Sequence, residues 1–368
     1  MPDPWRVARG ALGPCCAVAV ATAILLALRT LISSSSTMGQ KASVVFGVVL
    51  YACVVRWMRA RRLAYLEGVE DLHELGRVLA RVEFAEITYR ALELALFRTY
   101  AIPSVSALLE RTGRFTESAE SCLRRYNDTD LILSEIFERD QDHPRSILAL
   151  RRLNFIHSHY KISNDDYLFT LSLFMVEPVA WINRYGWRAL SQREADAFFE
   201  LFRTMGVRMG IRGIPGNIAE MARWKDRYAQ KHSRFAKSNR AIGDATFALL
   251  LKPVPAFAKP FALHASYALM NDPLLLEAMG YPLPSRAFVA AMDGIMRARA
   301  AFVRYLLPPR PLWFNANRTP AKASERTGLF EPNFSRYGQS YPGGYAIGRL
   351  GPDELRPGLL GKLHGGEE

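Results

Sequence analysis

Residues 191–210, SQREADAFFELFRTMGVRMG, contain the plainest fold signal in the chain. Ser191 and Glu194 have the spacing of a capping box, in which the side chain of each residue accepts a hydrogen bond from the backbone N–H of the other. A capping box opens a helix, and glycine is the residue type at which helices most often end. The stretch therefore predicts a helix from Ser191 to about Gly210.

Similar start signals occur along most of the chain. Asn217 and Glu220 repeat the capping-box spacing, Asp272 precedes a proline, and Ser285 opens a long apolar-patterned segment that ends before Pro308. Strand-like alternation, internal repeats and glycine-rich phosphate-binding motifs are absent from the sequence. We therefore predict an all-α fold, with one large helical domain over residues 63–307.

The first 62 residues differ from this body in charge and hydropathy. They contain eight basic residues and one acidic residue, so they account for more than half of the net charge of +13. Two uncharged apolar runs, 11–28 and 42–55, lie between these charges. As a helix the first run would extend roughly 27 Å, close to the thickness of the hydrocarbon core of a bilayer. The second would span only if the flanking Lys41 and Arg56 reached the interface.

This pattern predicts a membrane anchor over residues 1–62, as a hairpin or as a single span. A cleaved signal peptide is the alternative, but no clear small-x-small cleavage site follows the first run. Basic clusters at both outer ends favour a cytoplasmic location for both ends. Because the excess charge flanks apolar runs, it indicates a lipid bilayer as partner and no nucleic acid.

The remaining composition excludes further classes. The chain has four cysteines (Cys15, Cys16, Cys53 and Cys122), which excludes a disulfide-stapled scaffold, and they form no CxxC or Cys/His metal pattern. Residues 308–368 hold 8 of the 21 prolines and 10 of the 25 glycines, with aromatic residues interspersed. We predict that this segment is irregular and wraps the domain where the aromatic residues anchor it.

Among the seven histidines, His157 has the most informative surroundings. On a predicted helix over residues 145–160, Leu150, Leu153 and Tyr160 lie seven and four residues before it and three after it, so its imidazole projects from the apolar face. Such a histidine is either a packed core residue or a ligand of a metal or of haem iron. His159 faces the polar side, and His264 is a weaker candidate of the same kind as His157.

Arg125 lies beside an apolar stripe on the preceding predicted helix. Thr129 follows it by four residues, so both side chains face the same way. A buried arginine needs an anion or several acceptors, because an unpaired buried charge is too costly. One alternative is a salt bridge to Glu120, Asp128 or a carboxylate elsewhere. The other is a ligand.

At these residues the chain resembles the family that groups the catalytic domain of rubber oxygenase (latex-clearing protein) with the ER-bound oxygenase of mycophenolic acid biosynthesis. Arg125-Tyr-Asn-Asp-Thr129 matches the R-x-x-x-T pattern of that family. Arg151-Arg-Leu-Asn-Phe-Ile-His157 and Ser163-Asn-Asp-Asp-Tyr-Leu-Phe-Thr-Leu-Ser-Leu-Phe174 also match, with 28 residues from Thr129 to His157. The resemblance covers roughly residues 42–310.

The resemblance implies an all-α protein that holds a b-type haem and uses O₂ to cleave carbon–carbon double bonds of isoprenoid chains. It implies that His157 is the proximal iron ligand and that Arg125 and Thr129 lie on the distal side. Arg125 could alternatively pair with a haem propionate. The chain departs from rubber oxygenases at Asp128, where they have a basic residue. Glu110 is the nearest counterpart by spacing of their proposed catalytic glutamate.

The sequence thus predicts a membrane-anchored, haem b-dependent oxygenase that acts on a lipophilic prenylated or terpenoid compound. In a eukaryotic host the resemblance implies the endoplasmic reticulum membrane, with the catalytic domain on the cytoplasmic side. A haem-dependent hydroxylase or oxidase of a lipophilic metabolite is one alternative. The other is a helical membrane-associated structural protein without cofactor, in which His157 is packed and Arg125 is salt-bridged. No oligomeric state is indicated.

Overall fold

The structure is a computed structural model that describes residues 22–23, 26–27, 29–33 and 37–356. Within these residues the secondary structure is helical, and extended pairing is limited to one bridge between Phe330 and Tyr345. The prediction of an all-α fold is confirmed. Most of the apolar run 11–28 lies outside the described residues, and so do Cys15, Cys16 and the choice between a hairpin and a single span.

The helices are numbered here in chain order from the first one whose bounds are defined. They are α1 (Met38–Gly68), α2 (Leu72–Val78), α3 (Ala85–Thr99), α4 (Pro103–Arg111), α5 (Ala119–Phe137), α6 (Pro144–Ser158), α7 (Asn164–Tyr185), α8 (Gln192–Arg208), α9 (Ile218–His232), α10 (Lys237–Leu250), α11 (Lys259–Met270), α12 (Pro273–Met279) and α13 (Arg286–Leu306). A π-helical turn, Leu79–Glu83, continues α2, and 3₁₀ turns occur at Ala256–Ala258, Ile347–Arg349 and Asp353–Leu355.

The helices begin at the capping residues from which their starts were predicted. Ser191 caps α8 with both hydrogen bonds of the capping box, and the helix ends at Arg208, just before Gly210. Asn217 caps α9 through the N–H of Glu220, but the Glu220 carboxylate accepts from Gly216 rather than from Asn217. The second capping box is therefore half formed.

The core is built around α7, which packs against α3, α8, α9 and α13. Its buried residues occupy more than one side of the helix, as expected for a helix surrounded by others. Against the outer side of α8 lies α2, at a position where Gly76 meets Ala197. A Cβ atom on Gly76 would lie 3.0 Å from the carbonyl oxygen of Ala197, so glycine permits this close approach.

A buried carboxylate, Glu135, ties three parts of the domain together. It lies on α5 and accepts hydrogen bonds from Arg139 (3.1 Å), from Arg145 on α6 (2.9 Å) and from the hydroxyl of Tyr345. Its side chain is fully buried. The two arginines also donate to the carbonyl oxygen of Pro320, so the same cluster fixes the C-terminal segment.

The C-terminal segment, defined as residues 307–356, lies against the helical domain with little regular structure. Tyr345, Ile347 and Leu350 are buried in the main core. Arg152 on α6 donates to the carbonyl oxygens of Leu350 and Leu355, both at 2.7 Å. The segment is therefore a packed part of the domain.

In contrast to the rest of the fold, α1 is exposed along its N-terminal half. The apolar run 42–55 lies within this 31-residue helix, which is longer than the run itself. Among the described residues, α1 is the single unbroken helix that is long and apolar enough to cross a membrane, and 6% of its apolar window is buried. Its C-terminal half packs on the domain through Val55, Arg59, Arg62 and Leu66.

Replacing Glu135 by alanine should destabilise the domain by about 3 kcal/mol or more, because it removes the acceptor of buried cationic donors. The matched control is Glu200→Ala, which removes a pair with Arg203 near the surface of α8 and should cost less than about 1 kcal/mol. Urea unfolding of both variants in detergent, followed by circular dichroism, measures the difference. Equal losses of stability would contradict the linking role of Glu135.

Candidate functional site

A cavity of about 400 Å³ lies inside the helical domain. Its walls are formed by α3, α5, α6 and α7, with contributions from the C-terminal segment, and most of the lining surface is apolar. This volume and character are typical of sites that hold a small organic molecule. The site is therefore placed in the interior of the domain, away from the polar helix faces.

The cavity contains all three residues that the sequence singled out. Arg125 and Thr129 reach it from α5, and His157 reaches it from α6. Because α5 and α6 pack directly against each other, residues distant in sequence line the same cavity. The structure thus brings the predicted residues together, and their chemical roles remain predictions.

The surroundings of His157 favour a neutral imidazole. Its Nδ1 atom is buried without a hydrogen-bond partner in the described part of the chain. Burial, and to a lesser extent the charge of Arg125, lowers the pKa of His157 to about 4. The ring of Tyr167 lies 5.5 Å from it, between centroids. A histidine that is only packed in the core would have hydrogen-bond partners for its ring nitrogens. The geometry of His157 therefore favours the hypothesis that it is a ligand of a metal or of haem iron.

The other two histidines considered from the sequence have ordinary environments. His159 is exposed, and its Nδ1 lies 2.8 Å from the carbonyl oxygen of Phe155. His264 packs against Phe288, with ring centroids 4.6 Å apart, and does not line the cavity. Neither histidine combines burial, lack of a partner and access to the cavity.

Arg125 contacts Thr129 but has no carboxylate partner. Its Nη1 donates to the Thr129 hydroxyl, which in turn donates to the backbone carbonyl of Arg125 at 3.0 Å. Of the carboxylates considered from the sequence, Glu120 is exposed and Asp128 accepts from the Tyr341 hydroxyl. Among the described residues no ion pair involves Arg125, so the salt-bridge alternative finds no support in the structure.

Five carboxylates line the cavity within the described residues (Glu93, Asp128, Asp130, Glu138 and Asp166), and Glu110 is not among them. Glu110 is exposed on α4 and does not line the cavity, so the assignment by spacing is not supported. Glu93 on α3 accepts from the hydroxyls of Tyr126 (2.8 Å) and Tyr337 (2.7 Å) and pairs with Arg90. Burial and the charge of Glu93 raise the pKa of Tyr126, which therefore stays protonated.

Four further arginines line the cavity, and the sequence did not single them out. Each has a carboxylate partner: Arg81 pairs with Glu138, Arg114 with Glu354, Arg318 with Asp130, and Arg336 with Glu86. Two of them come from the C-terminal segment, whose sequence contains no local signal for an internal site. Their positions in the cavity are determined instead by contacts with acidic residues more than 180 positions away in the sequence.

The donor set limits what this cavity could hold. Within the described residues, no three His, Cys, Asp or Glu side chains come together as a metal-binding group. His157 offers one neutral imidazole inside an apolar cavity. That arrangement fits a metal whose other coordination positions are filled by an organic macrocycle, as in haem with a single protein ligand. The residues present therefore fit a haem.

Comparison with known proteins gives the family. Residues 145–305 match the family model described as "ER-bound oxygenase mpaB/B'/Rubber oxygenase, catalytic domain". The ER-bound oxygenase mpaB of Penicillium roqueforti (strain FM164) is 31% identical over 277 residues, which are 67% of this chain and 92% of that protein. This chain belongs to the mpaB/rubber oxygenase family.

Two further relatives, both also named as mpaB-type oxygenases, match this chain over only part of their own length. The ER-bound oxygenase mpaB' of Penicillium brevicompactum is 32% identical over 258 residues, or 66% of this chain and 60% of that protein. The mpaB of the same species is 28% identical over 258 residues and matched over 59% of its length. The match thus spans about three fifths of these two relatives.

The region matched by the family model contains some of the residues that line the cavity but not all of them. The region 145–305 includes His157 and α7, whereas Arg125 and Thr129 lie before it and Arg318 and Arg336 after it. The mpaB/rubber oxygenase family model therefore covers the segment with the unpartnered imidazole, and flanking segments complete the cavity.

The unpartnered, neutral state of His157 can be tested by its effect on stability. The folded-state pKa of about 4 lies below the ordinary value of 6.5, so the unfolded chain takes up the proton first as the pH falls. The wild type should therefore lose stability relative to His157→Gln between about pH 6.5 and pH 4, by a few kcal/mol in total.

Urea unfolding of cofactor-free protein in detergent at pH 7 and pH 4.5 measures this difference. His159→Gln is the matched control, because His159 is exposed on the same helix end, and it should follow the wild type at both pH values. If His157→Gln followed the wild type as closely, the imidazole would not be buried in its neutral form.

Proposed function

We propose that this protein is a membrane-anchored, haem b-dependent oxygenase that cleaves a C=C bond in a prenyl or terpenoid side chain with O₂. The observation that carries the proposal is the neutral, unpartnered imidazole of His157 in an apolar cavity that Arg125 and Thr129 also line. Membership in a family whose members are named oxygenases supports it. Both atoms of O₂ would end in the two carbonyl products, so no separate reductase is required.

His157 is the residue that would hold the haem. A neutral imidazole has a free lone pair for iron, and the low pKa of His157 keeps it neutral at physiological pH. When bound, haem supplies the iron at which O₂ is activated. The polypeptide would contribute the histidine that holds the iron, the polar donors and the apolar walls.

Arg125 would supply hydrogen-bond donors in the cavity, and Thr129 would orient them. The Thr129 hydroxyl accepts from Arg125 and donates to the helix backbone, which orients the guanidinium. Since Arg125 has no carboxylate partner among the described residues, its remaining N–H groups could bind a negatively polarised oxygen atom or a propionate of the cofactor. In both cases the contact would be charge-assisted.

The apolar walls suit the substrate class. Leu92, Leu133, Leu153, Ile156 and Phe174 line the cavity and give it an apolar surface. A prenyl chain offers no hydrogen bonds, so its binding would depend on burial of apolar surface, which contributes roughly 25 cal/mol per Å². The cavity thus supports a lipophilic prenylated or terpenoid substrate rather than a polar metabolite.

Membrane attachment suits the same substrate. The relatives are named ER-bound, and α1 is long and apolar enough to cross a bilayer. A long prenyl chain partitions into lipid, so an enzyme held at the membrane meets its substrate there. We propose the endoplasmic reticulum membrane as the location in a eukaryotic host, with the catalytic domain on the cytoplasmic side.

Haem binding through His157 is tested by absorption spectroscopy of detergent-purified protein reconstituted with haem. The wild type and His159→Ala should show a Soret band, and His157→Ala should lose it because the axial ligand is gone. A folded wild-type protein that stays colourless would overturn the haem proposal and favour a cofactor-free structural protein.

The role of the polar pair is tested by O₂ consumption with a farnesylated aromatic compound as probe. Arg125→Met and Thr129→Val should each lower turnover by about tenfold or more, while the Soret band is retained. Arg124→Met is the matched control, because Arg124 pairs with Asp353 and does not line the cavity. Unchanged turnover in both cavity variants would remove the donor role.

The products distinguish cleavage from the alternative reaction. C=C cleavage gives two shorter carbonyl compounds that each carry one atom of ¹⁸O₂. A hydroxylase or other oxidase of a lipophilic metabolite would leave the carbon chain intact. Mass spectrometry of the products therefore decides between the two oxygenase proposals.

A further inference from the structure

The C-terminal end of α13 and the residues after it are fixed to α1. The hydroxyl of Tyr51 donates to the carbonyl oxygen of Leu306 at 2.6 Å. Arg59 donates to the carbonyl oxygen of Leu307 at 2.7 Å, and also to that of Val303. These contacts join the middle of α1 to the end of the last long helix of the domain.

Arg62 extends this attachment by one further turn of α1. It donates to the carbonyl oxygen of Arg310 at 2.6 Å and pairs with Glu83 at 2.9 Å. Both Arg59 and Arg62 are buried, so the contacts are shielded from water. We call the attached stretch, residues 303–313, the rim.

The attachment fixes the depth of the rim relative to the apolar run of α1. Tyr51 lies inside the uncharged run 42–55, four residues or about 6 Å before its end. If this run lies in a bilayer, Leu306 lies at the depth of Tyr51. The helical domain would then lie directly against the membrane surface, because no linker separates it from the apolar run of α1.

The side chains exposed on the rim suit that depth. Trp313 is 78% exposed, Tyr305 62% and Leu312 41%. Large apolar side chains exposed to this extent are costly in water, and Trp and Tyr are enriched at membrane–water interfaces. On α1 itself, Trp57 is also exposed. The guanidinium of Arg61 lies over its ring, 5.1 Å from the ring centroid.

The charge around the rim complements an anionic leaflet. The helix α13 that leads into it carries four arginines and one aspartate. Arg304 is exposed on the rim, beside Tyr305, with its guanidinium 5.4 Å from the tyrosine ring centroid. Basic residues close to a lipid surface each contribute about 1 kcal/mol of attraction to anionic lipids.

We propose that the rim is a second membrane contact, in which Tyr305, Leu312 and Trp313 insert into the lipid headgroup region and Arg304 meets anionic lipid. The inference rests on the proposed insertion of α1 and goes beyond it, since it sets the orientation of the whole catalytic domain. The occupant is a lipid bilayer. A second copy of the chain on the same surface is an outcome that the test distinguishes.

The experiment uses the full chain with its native cysteines replaced and one new cysteine at a time, labelled with an environment-sensitive fluorophore. Trp313→Cys reports on the rim, and Phe46→Cys reports on the exposed apolar half of α1. Leu148→Cys is the matched control, because Leu148 is 46% exposed on α6, which packs against α5 and the C-terminal segment. The protein is reconstituted in phosphatidylcholine/phosphatidylserine vesicles.

Quenching by brominated lipids and by aqueous iodide is then compared among the three sites. We expect several-fold stronger lipid quenching at positions 46 and 313 than at 148, and the opposite order with iodide. Lipid quenching at 46 without any at 313 would overturn the rim proposal while keeping the anchor. Quenching at neither position would overturn both.

The contribution of a second copy is measured in detergent without vesicles. Shielding of position 313 from iodide that rises with protein concentration would show that another chain covers the rim, and it would overturn the lipid assignment. Shielding that appears only in vesicles supports it. Circular dichroism of each labelled protein checks that the domain is folded.

Discussion

One buried carboxylate holds the walls of the cavity in place. Glu135 has no contact with water, and its oxygens are shared by two arginines and a tyrosine from three parts of the chain. A buried charge of this kind is stable only if all its partners are present, so the positions of α5, α6 and the C-terminal segment depend on each other. Because α5 carries Arg125 and α6 carries His157, the same interaction sets the distance between the two predicted functional side chains.

The electrostatics of the cavity follow from this arrangement. His157 lies near a cation in an apolar setting, and both effects disfavour a second positive charge, so the imidazole stays neutral. Arg125 cannot lose its charge and has no carboxylate to pair with in the described residues. Among the described residues, Arg125 is the cavity arginine without a carboxylate partner, and it lies in the same cavity as the imidazole of His157.

Local features of the fold could be predicted from the sequence, and distant ones could not. The starts of α8, α9, α12 and α13 depend on a capping side chain within three residues, and they were predicted correctly. The shared face of Arg125 and Thr129 is equally local. In contrast, Glu93 forms an i,i−3 pair with Arg90, which in the sequence is typical of a solvent-exposed helix face. Only the fold shows that the hydroxyls of Tyr126 and Tyr337 donate to Glu93. Its role in the cavity was therefore missed, and spacing pointed instead to the exposed Glu110.

The C-terminal segment has a consequence for the order in which the protein is made. Arg318, Arg336 and Gly351 line the cavity, and they are translated after α13, the last of the described α-helices. At Gly351 the backbone passes so close to α6 that a Cβ atom would lie 2.5 Å from the side chain of Ile156. During synthesis the cavity therefore stays open on this side until the C-terminal segment has been made and covers it.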